Sequence, residues 1–141
     1  MATTRTASAH WEGSLMEGAG QVTLESSGIG TYDVTWPART EEPNGRTSPE
    51  ELIAAAHSTC FSMALSHALA QAGSPPTTLD TTAEVTFQAG TGITGVALKV
   101  VGSVPGLSAE QFQEAAEGAK KGCPVSQALS VPISLEARLA E

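Results

Sequence analysis

The residues of this chain with the greatest chemical reach are its two cysteines, Cys60 and Cys123, and they sit in contrasting surroundings. Cys123 follows Gly122 and precedes Pro124, so it can serve as the N-cap of a short helix over Pro124–Leu129. A thiol at a helix N-terminus is stabilised as thiolate, the nucleophilic form. Lys120 and Lys121 add positive charge nearby. The same local sequence also suits a loop cysteine with no task. Cys60 lies inside a long apolar stretch, where a lone cysteine usually behaves as a small buried hydrophobe. On a helix it shares a face with His57 and His67, which opens a metal-stripe reading with Cys123 as a fourth ligand. Against that reading, the chain has no compact C-x-x-C or H-x-x-x-H pair of the kind structural zinc uses. In a reducing compartment two cysteines are a free pair, a metal site or a catalytic pair more readily than a permanent staple.

Arg39 and Glu50 are the charged residues that bear on this chemistry. Separately, Arg39 reads as a surface side chain covering apolar area beside Trp36, and Glu50 as charge at a helix start. Together they can form a charge-assisted pair whose guanidinium stabilises a thiolate. Ten residues separate Glu50 from Cys60, which is about 15 Å of rise on an unbroken helix. For both to serve one site, either the helix breaks or a second subunit contributes.

These residues are positioned by one dominant element, a helix predicted over 49–72. Ser48 is a suitable N-cap, Pro49 occupies the first helical position, and Glu51 completes a capping box. Gly73 is the expected left-handed stop, with Pro75 and Pro76 beyond it. Between Leu52 and Ala72 there is no Lys, Arg, Asp or Glu, and Leu52, Ile53, Phe61, Met63, Leu65 and Leu69 spread around most of the circumference. A helix apolar on all sides is buried on all sides. Its Ser, Thr, His and Gln content argues against a membrane span, so part of it is expected to pack against a second copy.

Around this helix, short strands are expected over 6–12, 20–26 and 32–36, the last ended by Pro37. Glu41 to Thr47 is a polar loop with an Asn-Gly turn signal. Longer strands over 79–88 and 93–104 form a hairpin. Ser108 to Gln111 repeats the capping-box pattern and opens a helix ending at Lys120-Lys121-Gly122; a last strand covers 133–139. The order βββ–α–ββ–α–β describes a single α+β domain over 1–141, with antiparallel sheets. A formal net charge of −8 with no basic stripe sets nucleic acid aside. No signal peptide or anchor is visible at Met1–Arg5 and beyond, which makes the cytosol the default location.

Ser48 to Ser66 together with Gly122-Cys123-Pro124-Val125-Ser126 resembles the OsmC/Ohr family of osmotically inducible and organic hydroperoxide resistance proteins. Ala9 to Gly13 and Asp80 to Val85 resemble the OsmC branch in particular. The Arg39 position also fits that branch, since the Ohr branch carries its arginine near the N-terminus, and Glu17, Gly18, Ala19 and Gly20 offer none. The resemblance implies a two-sheet homodimer in which both chains enclose the central helices. It implies a thiol peroxidase with Cys60 peroxidatic, Cys123 resolving, and Arg39 and Glu50 as the activating pair. It further implies an organic hydroperoxide substrate, a lipoylated or other dithiol protein as reductant, and no metal, flavin or haem. Leu52, Ile53, Phe61 and Met63 are candidate linings for a low-polarity pocket. Two other classes stay open on the residues alone: a binding protein for a small hydrophobic ligand, and a metal-binding protein, each with non-catalytic cysteines.

Overall fold

Val22 pairs with Ala9 on one side and Tyr32 on the other, and so centres a three-stranded antiparallel sheet. Its strands are β1 (Ser8–Glu12), β2 (Ala19–Thr23) and β3 (Thr31–Val34), in that order. All three were expected, each over a longer span. The structure, a computed structural model, describes residues 1–140. It divides into two compact units, the first Met1–Leu52 and the second from Ile53 onward.

In the first unit the expected strand through Trp36 is corrected. The extended backbone stops at Val34, and Trp36–Thr40 is a short helix, α1. Thr35 caps it, its Oγ1 accepting the Ala38 N–H at 3.2 Å. Pro37 lies in the first turn, where its missing N–H costs nothing. Proline therefore opens a helix here rather than closing a strand, and Arg39 is a helical residue. The Asn-Gly turn is present, with Asn44 at φ 47° and Gly45 at φ 79° and the Arg46 N–H on the Pro43 carbonyl at 3.0 Å.

The long helix α2 runs Pro49–Gln71. Ser48 Oγ accepts the Glu51 N–H at 3.2 Å, while the Glu51 carboxylate takes the Thr47 hydroxyl at 2.6 Å. Only the first half of the expected capping box is thus made as expected. At the other end Gly73 has φ +89°, and the Ser74 N–H reaches the Leu69 carbonyl at 2.9 Å and the Gly73 N–H the Ala70 carbonyl at 3.0 Å. That pair of bonds is a Schellman stop, which needs a residue tolerant of positive φ. By length and composition α2 is apolar enough to cross a membrane. In the second unit, however, Phe61, Leu65 and Leu69 are core residues.

The second unit continues with β4 (Thr78–Gln88), β5 (Gly92–Ser103), α3 (Ala109–Gly122), α4 (Pro124–Ala128) and β6 (Ile133–Leu139). Its sheet has the order β4-β5-β6. The β4–β5 hairpin is antiparallel, with a register shift at Thr86/Phe87, but β6 lies parallel to β5. The expected purely antiparallel sheet is corrected to a mixed one. The reason is topological: α3 and α4 intervene between β5 and β6, and a chain that crosses over through helices returns in the same direction. Ser108 caps α3 with the full capping box. Phe112, Ala116 and Ala119 of α3 share one face and are buried against Val96, Leu98 and Val100 of β5 and the α2 residues.

The α2 face carrying His57, Phe61, Leu65 and Leu69 is buried, whereas Thr59, Met63, His67 and Ala70 are exposed, Met63 at 68%. One chain alone therefore covers one side of this helix, not most of its girth. Packing is tight where β5 meets α3. A Cβ on Gly102 would stand 2.7 Å from the Phe112 ring and 3.1 Å from Leu79 Cδ2. Phe112 is 1% exposed and has no room to yield. Gly102→Ala is expected to lower unfolding free energy by about 1–3 kcal/mol, read as a reduced midpoint in chemical denaturation with unchanged slope.

Candidate active site

Cys60 is half-buried on α2, and Cys123 is fully buried where α3 ends and α4 begins. Both are free thiols. Cys123 closes α3 by giving its N–H to the Ala119 carbonyl at 2.8 Å, and it stands as the N-cap of α4, as expected. No side-chain bond caps α4 there. The two thiols nevertheless interact directly, each setting the other's proton affinity. Burial pushes the Cys60 thiol up; the Val125 N–H pulls it down, and Cys123 adds to the rise. Burial also opposes ionisation of Cys123, but the Ser126 N–H, the Cys60 thiol, the Ser126 hydroxyl and the Val125 N–H together bring it below the ordinary thiol range. Negative charge in this pair is thus held more readily by Cys123 than by Cys60.

The expected help from Lys120 takes a different form. Its Nζ donates to the Ile133 carbonyl at 3.3 Å and lies 3.5 Å from Glu117, so it serves the α3–β6 packing. His57, one turn before Cys60, is completely buried, with Nε2 at 2.7 Å from Ser126 Oγ. Burial lowers its pKa, which keeps the imidazole neutral. Sequence reasoning included Ser126 in a motif without giving it a role. The Cys-Pro-Val-Ser spacing was the available signal, because it places Ser126 in the first turn of the helix that Cys123 opens. His67 is exposed and shares no metal site with His57. Among the described residues there is no group of three or more His, Cys, Asp or Glu side chains placed to hold a metal ion.

The first unit brings Arg39 and Glu50 together. Arg39 Nε donates to Glu50 Oε1 at 3.0 Å and Oε2 at 3.2 Å, and its second guanidinium nitrogen, Nη2, donates to Oε2 at 2.9 Å. This is the forked geometry that fixes a guanidinium plane. Glu50 is buried and Arg39 half-buried, and the Arg39 Cζ lies 5.8 Å from the centre of the Trp36 ring. Arg39 borders an apolar cavity of about 280 Å³, whose walls include Trp11, Val22, Val34, Trp36 and Leu52. Of the four residues expected to line a low-polarity pocket, Leu52 does so. Phe61 is instead a core residue, and Met63 lies on the exposed side of α2. Helical periodicity could not separate these, because the helix is apolar all round.

A family profile described as OsmC-like protein matches residues 42–137. The chain is 47% identical over 134 residues to Peroxiredoxin OsmC of Escherichia coli, a match covering 93% of both chains. The chain belongs to the OsmC family. An organic hydroperoxide resistance protein OsmC of Legionella pneumophila superposes with TM-score 0.75 at 25% identity, over 100% of this chain and 99% of that one. An organic hydroperoxide resistance protein of Elizabethkingia anophelis superposes with TM-score 0.68 at 26% identity, again over 100% and 99%. The OsmC profile spans Glu50, Cys60 and Cys123, and Arg39 lies just before it.

Proposed function

We propose that this OsmC-family protein is a thiol-dependent peroxidase that reduces organic hydroperoxides, and hydrogen peroxide more weakly, through Cys60 and Cys123. The observation that carries this reading is the 47% identity to Peroxiredoxin OsmC, supported by two free thiols from distant parts of the chain that lie near enough to perturb each other's ionisation. The Cys60 thiolate attacks the outer peroxide oxygen. The O–O bond breaks, an S–O bond forms, and the alkoxide leaves as alcohol after taking a proton. The Cys123 thiolate then attacks the Cys60 sulfenic sulfur, forming the S–S bond and releasing the hydroxyl as water. An external dithiol, such as a lipoylated protein, reduces the disulfide by thiol exchange and is itself oxidised. No metal, flavin or haem takes part in these steps.

Arg39 and Glu50 have the activating role in this reading. Because Cys60 is pushed up by burial and by Cys123, a permanent cation is needed to favour its thiolate. The forked Glu50 contact supports a fixed guanidinium, and the apolar cavity beside it suits the organic part of a peroxide. The helical rise between Glu50 and Cys60 favours supply of this pair by a second copy in a cytosolic homodimer. Peroxide consumption, compared between an alkyl hydroperoxide and hydrogen peroxide and between dithiol and monothiol reductants, tests the assignment. Stable binding of an apolar ligand without peroxide turnover would overturn it.

The exposed side of α2 supports the dimer. Met63 and its neighbours would otherwise present apolar surface to water. Sedimentation at micromolar concentration is expected to give twice the chain mass. Met63→Glu is expected to shift the distribution toward monomer.

A further inference from the structure

His57 is a fully buried imidazole that the peroxidase steps above leave without a task. Its Nε2 meets Ser126 Oγ at 2.7 Å, and Nδ1 is buried with no hydrogen-bond partner among the described residues. Ser126, 8% exposed, lies three residues after Cys123 in the first turn of the helix that Cys123 opens, near enough for its hydroxyl to help lower the Cys123 pKa. A serine hydroxyl has one proton and two lone pairs. If Nε2 accepted that proton, Nδ1–H would be a buried donor with nothing to bond, and Ser126 would have no proton left for Cys123. If Nε2 carries the hydrogen, Ser126 Oγ accepts it and keeps its own proton for the sulfur. The unpaired atom is then a bare ring nitrogen.

We infer that His57 and Ser126 are positioning residues for the resolving thiol: His57 Nε2–H donates to Ser126 Oγ, and the Ser126 hydroxyl donates to Cys123 Sγ. The purpose assigned to this relay rests on the peroxidase reading, in which Cys123 is needed as a thiolate twice. It is the nucleophile that attacks the Cys60 sulfenic acid. When an external dithiol thiolate attacks the Cys60 sulfur of the disulfide, Cys123 is the leaving group and departs with the S–S electron pair. In both steps a donor fixed on Cys123 lowers the energy of its charged form. The relay transfers no proton; it orients one. The titratable group that acts on Cys123 directly is Cys60 of α2, and His57, also of α2, meets Ser126. Lys120 of α3 is engaged by the Ile133 carbonyl and Glu117, and Lys121 is exposed.

The test uses a Cys60→Ser background, in which Cys123 is the sole thiol and its ionisation is followed by thiolate ultraviolet absorbance against pH. Ser126→Ala is expected to move the profile to higher pH, with about tenfold less thiolate at a fixed pH below the midpoint. His57→Leu is expected to move it the same way by less. The double variant should match Ser126→Ala alone, because members of a series do not add. Ser126→Thr and His57→Gln, which keep a donor in place, should restore the profile. An unmoved profile in Ser126→Ala, or additive shifts in the double variant, would overturn the relay. Nitrogen NMR of the unsubstituted chain supplies a measurement that needs no variant to fold. A His57 ring protonated at Nε2 is expected, and protonation at Nδ1 alone would overturn the inference. None of these readouts involves peroxide, so failure of the relay is distinguishable from failure of the peroxidase reading, which the consumption assay reports.

Discussion

Cys60→Ser is expected to reduce peroxide turnover by at least about 10³-fold, because removal of a nucleophile that forms the covalent intermediate leaves no alternative route. Cys123→Ser is expected to behave differently. It should still consume about one equivalent of peroxide per chain in the first reaction, then stall under a dithiol reductant as the Cys60 sulfenic acid accumulates and overoxidises. The physical basis is the contrast between the two sulfurs. Cys60 is the more exposed of the two, and Cys123 is completely enclosed. In the proposed cycle a peroxide therefore meets Cys60 first, and Cys123 is protected until the sulfenic acid forms beside it. Mass spectrometry after stoichiometric peroxide distinguishes the outcomes: a disulfide in the parent chain, sulfinic acid on Cys60 in Cys123→Ser, and no oxidised species in Cys60→Ser other than on Cys123. Near-normal turnover in Cys60→Ser would reverse the assignment of roles.

Arg39→Ala is expected to slow the peroxide step about 10- to 100-fold at neutral pH, the worth of one charge-assisted contact to a thiolate. Burial raises the Cys60 pKa, so its thiolate fraction at neutral pH is small unless a cation compensates. In the proposed dimer, where Arg39 of a second copy compensates the Cys60 charge, its removal is expected to raise that pKa further, and the pH profile of Cys60 alkylation in a Cys123→Ser background should move to higher pH. Glu50→Ala should give a weaker version of the same shift, since the charge remains and only the fork that orients it is lost. His57→Ala should shift this profile far less than Arg39→Ala. The imidazole is kept neutral by burial, and its hydrogen bond is spent on Ser126 rather than on Cys60. A larger shift in His57→Ala, or none in Arg39→Ala, would move the activating role to the histidine.

Much of the architecture was legible in local chemistry. The Ser48-Pro49 start and the Gly73 stop bracket α2 within one residue of its bounds, because caps and left-handed glycine act over a single turn. The capping box at Ser108–Gln111, the β4–β5 hairpin and the alternating last strand were legible for the same reason. Both cysteines, and the pairing partners Arg39 and Glu50, could be named as candidates from residue type alone. The helix at Trp36–Thr40 was missed because Pro37 signals the end of a strand and the first turn of a helix equally well. Only the capping bond from Ala38 to Thr35 decides between them.

Other features depend on how distant segments meet. The parallel seat of β6 against β5 follows from the path of α3 and α4 across the sheet, which no strand pattern encodes. The sequence of α2, apolar all round, led to the expectation of enclosure but did not say which face a single chain would cover. Tertiary packing chose the His57–Phe61–Leu65–Leu69 face for the core and left Met63 outward. Likewise, the presence of two nucleophiles, an arginine and a carboxylate was written in the chain. That Arg39 and Glu50 would meet in a fork, that Cys60 and Cys123 would perturb each other's ionisation, and that Ser126 would bond His57 were decided only in the folded state. Hydrogen bonds and pKa shifts depend on distances of a few ångströms between residues far apart in the chain, and local propensity carries no information on such distances.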